Sequence, residues 1–96
     1  MKNKEEALKT IKSLQGELKK YKVRDIGLFG SVVRGEEKQT SDIDVLVDFA
    51  DDADLFDFVG LGLFLEEKLG QKVDVVPKRA LRKEIRDNVL KEVVIV

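Results

Sequence analysis

From Glu5 to Tyr21 the apolar residues Leu8, Ile11, Leu14, Leu18 and Tyr21 recur every three or four positions, which lays them along one stripe of a helix. The period then changes. VRDIGLF, Val23 to Phe29, reads as a short strand ending at Gly30, and Ser31 is placed to cap a short helix that runs into Gly35. A polar loop, Glu36 to Thr40, leads to a second strand from Asp42 to Phe49. There Ile43, Val45 and Val47 alternate with Asp42, Asp44, Leu46 and Asp48. The acidic run DDAD offers caps for the helix LFDFVGLGLFLEEKLG, with Gly70 as its stop. Apolar residues cover most of that helix's circumference, so it is expected to be the most buried. Gly60 and Gly62 inside it predict either close packing or a break. Lys72 to Val76 gives a third strand stopped by Pro77, and Leu81, Ile85 and Val89 mark a final amphipathic helix. The β-branched end VVIV is a candidate last strand, able to pair with its own sheet or with a second copy in a homo-oligomer.

This order predicts an α+β (α/β layered) fold, a small mixed β-sheet of three to four strands covered by helices. Ninety-six residues suit one domain spanning 1–96. Apolar residues at 43% and charged residues at 39% describe a chain that folds and stays in solution. A net charge of -1 points to neither a nucleic-acid binder nor a membrane-surface protein. The charge is nonetheless segregated. Acids gather between Asp42 and Asp57, whereas Lys78, Arg79, Arg82, Lys83, Arg86 and Lys91 make a basic C-terminal face that could dock an acidic partner, bind RNA or simply be solvated. No run approaches the ~18 continuous apolar residues of a membrane span, and MKNKEEAL lacks the apolar core of a signal peptide. A cytoplasmic location with no membrane partner is expected. The five Phe sit in apolar runs and read as core, which leaves no aromatic platform for direct nucleic-acid binding.

The chain has no Cys and no His, so a Ser-His-Asp triad, a thiol nucleophile, a zinc finger and an imidazole base are all excluded. Only oxygen ligands remain, and these favour Mg, Mn or Ca. Asp42 and Asp44 leave one face of their strand, roughly 6.5 to 7 Å apart along the chain. In KVDVV the same parity sends Asp74 out opposite Val73 and Val75. If the two strands are neighbours, three carboxylates converge, and they would repel and raise one another's pKa unless cations hold them together. Upstream, a strand that runs into Gly30-Ser31 and then into a helix offers free N–H groups and a hydroxyl at a positive dipole end, which suits a phosphate. Each signal has an ordinary reading when taken alone: Ser31 as a plain cap, an Asp on a solvent face, as for Asp48. Other phosphate and metal motifs fit badly. GSVVRG has a Walker A frame, but Glu36 and Glu37 stand where Lys and Ser/Thr are required. Calcium loops fail at Leu46 and Phe56, and Gly60 with Gly62 lacks the third glycine of a dinucleotide loop.

Taken together, Gly30-Ser31, Arg34-Gly35, Ser41-Asp42-Ile43-Asp44 and the later Asp74 resemble the G-S-x-x-R-G…S-D-x-D signature and third aspartate of the minimal nucleotidyltransferases (MNT) of the polymerase-β-like superfamily. The resemblance covers nearly the whole chain. Val33, where Ala commonly precedes the arginine, is its one small departure. The resemblance implies a polymerase-β palm-like fold and a nucleotidyltransferase in which Asp42 and Asp44 bind two magnesium ions, or manganese. Asp74 would complete one site and help deprotonate the acceptor hydroxyl. Gly30 and Ser31 would hold the β and γ phosphates. Arg34 would either touch a phosphate or the acceptor, or be a plain surface charge. ATP is the implied donor among NTPs. A HEPN-type toxin is the implied protein partner, adenylylated by this chain as its antitoxin. The rival reading is a binding antitoxin that neutralises its toxin by occlusion without catalysis.

Overall fold

The computed structural model describes residues 3–36 and 42–96. The N-terminal stripe is carried by three pieces rather than one helix. α1 (Lys4–Ser13) is capped by the Asn3 side chain, which accepts from the Glu6 amide at 2.9 Å. It ends where Leu14 turns out of helical geometry (φ -101°, ψ 10°). α2 (Gln15–Leu18) and a 3₁₀ turn, Lys19–Tyr21, follow. The break redirects the chain without losing the stripe, because Ala7, Ile11 and Leu18 are all buried in the same core. Tyr21 then stacks on Phe64 with ring centroids 5.4 Å apart.

Four strands form one sheet in the order β3-β2-β1-β4. β1 (Val23–Phe29) pairs antiparallel with β2 (Ile43–Phe49) on one side and with the short β4 (Val94–Ile95) on the other. β3 (Val73–Pro77) pairs parallel with β2, so the helix between them is a crossover. The sheet is therefore mixed and the fold α+β, as the element order predicts. VVIV closes the chain's own sheet rather than remaining a free end.

Strand alternation gives the sheet two different faces. Ile26, Leu28, Ile43, Val45, Val47 and Val75 point to the main core, where they meet α1 and the crossover helix α4 (Leu55–Leu69) through Leu61, Leu65 and Leu69. On the other face Leu46 packs with Leu81 and with Val89 of α5 (Lys83–Glu92), bordered by Phe29, Val76 and Val93. A second 3₁₀ turn, Lys78–Ala80, joins β3 to α5. The approach of α5 and β4 to β1 depends on Gly27: a β-carbon there would stand 2.7 Å from a Val93 methyl and 2.9 Å from the Val94 carbonyl.

Two expectations about burial are overturned at α4. It is not the most buried element, since Leu55, Phe56, Val59 and Leu63 are 72%, 86%, 49% and 64% exposed. Nor are all five Phe core residues, because Phe56 points to solvent. A helix that covers one side of a small sheet presents a single face to it, and among the described residues nothing packs on its outer side. Ile85 of α5 is likewise exposed although it shares a stripe with Leu81 and Val89. The glycines do not break α4. Gly60 instead admits Tyr21, whose ring would stand 3.0 Å from an added β-carbon. Asp54 and Asp57 form a capping box at the helix start, and Gly70 ends it in left-handed geometry. Among the described residues no helix is long and apolar enough to cross a membrane.

The contrast along α4 is testable by chemical denaturation. Leu65→Ala, at a fully buried position, is expected to cost about 3 kcal/mol, whereas Phe56→Ala is expected to change stability by less than about 0.5 kcal/mol.

Candidate active site

Strand register brings the acidic side chains into one neighbourhood. In the β2–β3 ladder Asp44 is the partner of Asp74. Adjacent strands stand about 4.8 Å apart, and partners project from the same face. Asp42, immediately before β2, shares that face by alternation, and Phe29 of β1 flanks Asp44 on the opposite side. Asp44 is half-buried, whereas Asp42 and Asp74 are exposed. Its carboxyl is pushed up to about 6, first by burial and then by the negative charges of Asp74 and Asp42. Arg34 draws it back down in part, and Glu92 adds a further upward push. Among the described residues no three acidic side chains are drawn closely enough together to grip an ion as they stand. The donors are nonetheless all oxygens, and among the described residues Asp44 makes no ion pair, Arg34 offsetting its crowding only in part. That chemistry fits a hard divalent cation.

Gly30 sits against this group in a backbone conformation that side chains avoid (φ 78°, ψ -154°), and a β-carbon there would run into the Asp44 carboxylate. One correction follows for Ser31. The cap of α3 (Ser31–Arg34) is Gly30, and Ser31 is the first helical residue, its side chain making no capping bond. The positive φ explains the exchange, since only glycine takes the cap position without strain. The Gly30 carbonyl accepts from Val33 and Arg34 at 3.1 and 3.2 Å, which tightens the turn. Among the described residues the Ser31 hydroxyl has no hydrogen-bond partner. Ser41 and the polar loop before it lie outside the described residues, apart from Glu36.

A residue that the sequence reading passed over completes the arrangement. Glu92, the last residue of α5, accepts from the Gly30 amide at 3.0 Å with one carboxylate oxygen and from Arg34 at 2.7 Å with the other. Arg34 also donates to Glu36 at 2.9 Å, and these two partners hold its guanidinium charged well beyond its ordinary range. Fifty-eight residues separate Glu92 from Arg34, so no local motif links them. The available signal was an acid at a helix C-terminus, where the helix dipole disfavours negative charge. The basic C-terminal face is partly structural: Arg79 donates to the Phe49 carbonyl at 3.0 Å and Arg86 to the Leu81 carbonyl at 3.3 Å.

The glycine turn and the paired strand carboxylates thus share one end of a mixed sheet, and comparison with known proteins gives the class to which the chain belongs. Residues 6–96 match the nucleotidyltransferase domain family. The chain is 49% identical over 77 residues to the protein adenylyltransferase MntA of Thermococcus cleftensis, covering 80% of this chain and 78% of that one. Among solved structures it is similar to a proposed minimal nucleotidyltransferase, with TM-score 0.76 and 35% identity, covering 91% of this chain and 93% of that one. It is also similar to a chain of a toxin-antitoxin structure with AMP-PNP, with TM-score 0.72 and 30% identity, covering 93% and 70% of the two chains. The chain belongs to the nucleotidyltransferase domain family and, within it, to the minimal nucleotidyltransferases. It is an enzyme of nucleotidyl transfer.

The charge crowding at Asp44 has a pH signature. Its carboxyl titrates near 6 in the folded chain and near 3.8 in the unfolded one, so between those values the folded state binds more protons, and this group's contribution to stability falls as pH rises through that window. The penalty is complete above about pH 6. Asp44→Asn is therefore expected to raise the melting temperature at pH 7.5 without divalent ions and to leave it nearly unchanged at pH 4, as read by calorimetry.

Proposed function

We propose that this protein is an adenylyltransferase that moves AMP from ATP to a hydroxyl of a partner protein, a HEPN-type toxin, and so acts as its antitoxin. The observation that carries this reading is the Asp44–Asp74 register with the Gly30 turn pressed against Asp44. It puts the glycine turn and the paired acids at the same end of the sheet. Asp42 and Asp44 would hold two magnesium ions, with Asp74 completing one of the sites. When bound, the ions supply charge neutralisation at the triphosphate and lower the pKa of the attacking hydroxyl. Ser31 would donate to the β and γ phosphates, and Gly30, whose amide is held by Glu92, would contribute the close approach that its missing side chain allows, which orients the α-phosphorus toward the acids. Asp74, exposed at the edge strand, takes the proton of the acceptor hydroxyl. The acceptor oxygen forms its bond to the α-phosphorus as the bond to the bridging oxygen breaks, and pyrophosphate leaves.

Two features support a protein as acceptor. The exposed stripe of Leu55, Phe56, Val59 and Leu63 gives α4 an apolar outer surface of the kind that marks interaction sites. A shallow groove of about 280 Å³ between α4 and β3 joins that stripe to Asp74, with Val59, Leu63 and Asp74 in its lining. The same apolar stripe also favours the second reading, an antitoxin that works by occlusion alone.

Incubating the chain with labelled ATP, magnesium and its toxin partner separates the two. Transfer of label to the toxin that drops in Asp44→Asn by more than the roughly 10- to 100-fold typical of outer-shell partners of a metal is the expected result. Full neutralisation by Asp44→Asn with no label transferred by either protein would leave occlusion standing and remove catalysis.

A further inference from the structure

We propose that Glu92 is the positioning residue of the phosphate-binding turn. From the end of α5 its carboxylate clamps the Gly30 amide and the Arg34 guanidinium at once, and so sets the shape in which Ser31 is presented to nucleotide. The inference rests on the reading of Gly30 and Ser31 as phosphate ligands and assigns a role to a residue outside that set.

The geometry is specific. One Glu92 oxygen takes the Gly30 N–H at 3.0 Å and the other takes Arg34 at 2.7 Å, and both partners are charge-assisted. The two contacts bracket α3: Gly30 is its cap and Arg34 its last residue. A four-residue helix has too few internal hydrogen bonds to hold itself, so an external tie at each end fixes its orientation. The Glu92 side chain is itself only 21% exposed, largely withdrawn from the water that would otherwise compete for it.

The position of the clamp is in turn fixed by packing. Val93 and Val94, which follow Glu92, lie against Gly27, and β4 hydrogen-bonds to β1 beside Leu28. The Val96 amide adds a bond to the Ile26 carbonyl at 2.9 Å. Two points toward the C-terminal end of β1 are thus held by the same segment: Gly27 seats the α5–β4 junction and Gly30, just past the strand, receives the carboxylate that the junction carries. Glu92 also consumes the charge of Arg34. With Glu36 on its Nε and Glu92 on its Nη1, the guanidinium is oriented by two carboxylates of the protein.

A clamp and a competitor predict opposite effects on nucleotide binding. Affinity for Mg·ATP is measured by calorimetry, alongside the ¹⁵N–¹H spectrum and amide exchange, for the wild type, Glu92→Gln and Glu92→Ala. Glu92→Gln keeps the shape and an acceptor for Gly30 but gives up the ion pair. The expected result is a roughly tenfold weaker affinity in Glu92→Ala and a smaller loss in Glu92→Gln, on the scale of one hydrogen bond to a charged group. The Gly30 amide should move upfield and exchange faster in Glu92→Ala. In the transfer assay the effect should fall on KM more than on kcat. Unchanged affinity in the folded variants, or an unmoved Gly30 amide, overturns the role of Glu92 alone. Tighter binding overturns it too, since the carboxylate would then be competing with phosphate. A wild-type chain that binds no Mg·ATP overturns the nucleotide reading and this inference together.

Discussion

Negative charge gathered at one end of two parallel strands is the constraint around which the rest of this molecule is arranged. Asp44 cannot move away from Asp74, because backbone hydrogen bonds fix both strands in register. It cannot withdraw toward β1 either, where Phe29 stands opposite. Its carboxyl is half-buried and pushed up to about 6. A fold whose purpose was stability alone would place a neutral side chain there. The fold instead leaves Gly30 without a side chain at the point of contact, so that the turn can approach the carboxylate closely.

The two faces of the sheet divide the work. One face is closed by α1 and α4 over a continuous apolar core, which supplies the hydrophobic burial that a chain of this size needs. On the other, α5 packs over Leu46, bordered by Phe29 and Val76, while among the described residues Asp42 and Asp74 stay exposed and Asp44 half-buried. The burial that anchors α5 also delivers its terminal carboxylate, because Val89 packs one turn before Glu92. The Glu92 carboxylate, the Arg34 guanidinium and the Gly30 amide then satisfy one another, which matters most for the carboxylate and the amide, the less exposed of the three.

The outer face of α4 shows a different balance. Leu55, Phe56, Val59 and Leu63 add nothing to the core, yet they are grouped and lie next to the groove that ends at Asp74. Reading the helix as fully buried was an error of inference from composition. An all-round apolar helix must be covered, but the sequence of one chain does not say whether that cover is its own core or another molecule. The single long N-terminal helix failed for a related reason. A stripe at helical spacing records which residues face the core and is silent on whether the helix axis bends between them, as it does at Leu14.

What the amino-acid order determined by itself was local: the period-two alternation that puts Asp42 and Asp44 on one side of β2, the parity that sends Asp74 outward, and the glycine at which β1 ends. These follow from chain geometry and from sterics within a few residues, so they are legible without the fold. Three matters were decided only by tertiary structure. The register that sets Asp44 beside Asp74, the arrival of Glu92 at Gly30 and Arg34, and the exposure of Phe56 each depend on which distant surfaces meet. Contacts of that kind are selected by burial summed over the whole molecule, and no short stretch of the chain contains that sum.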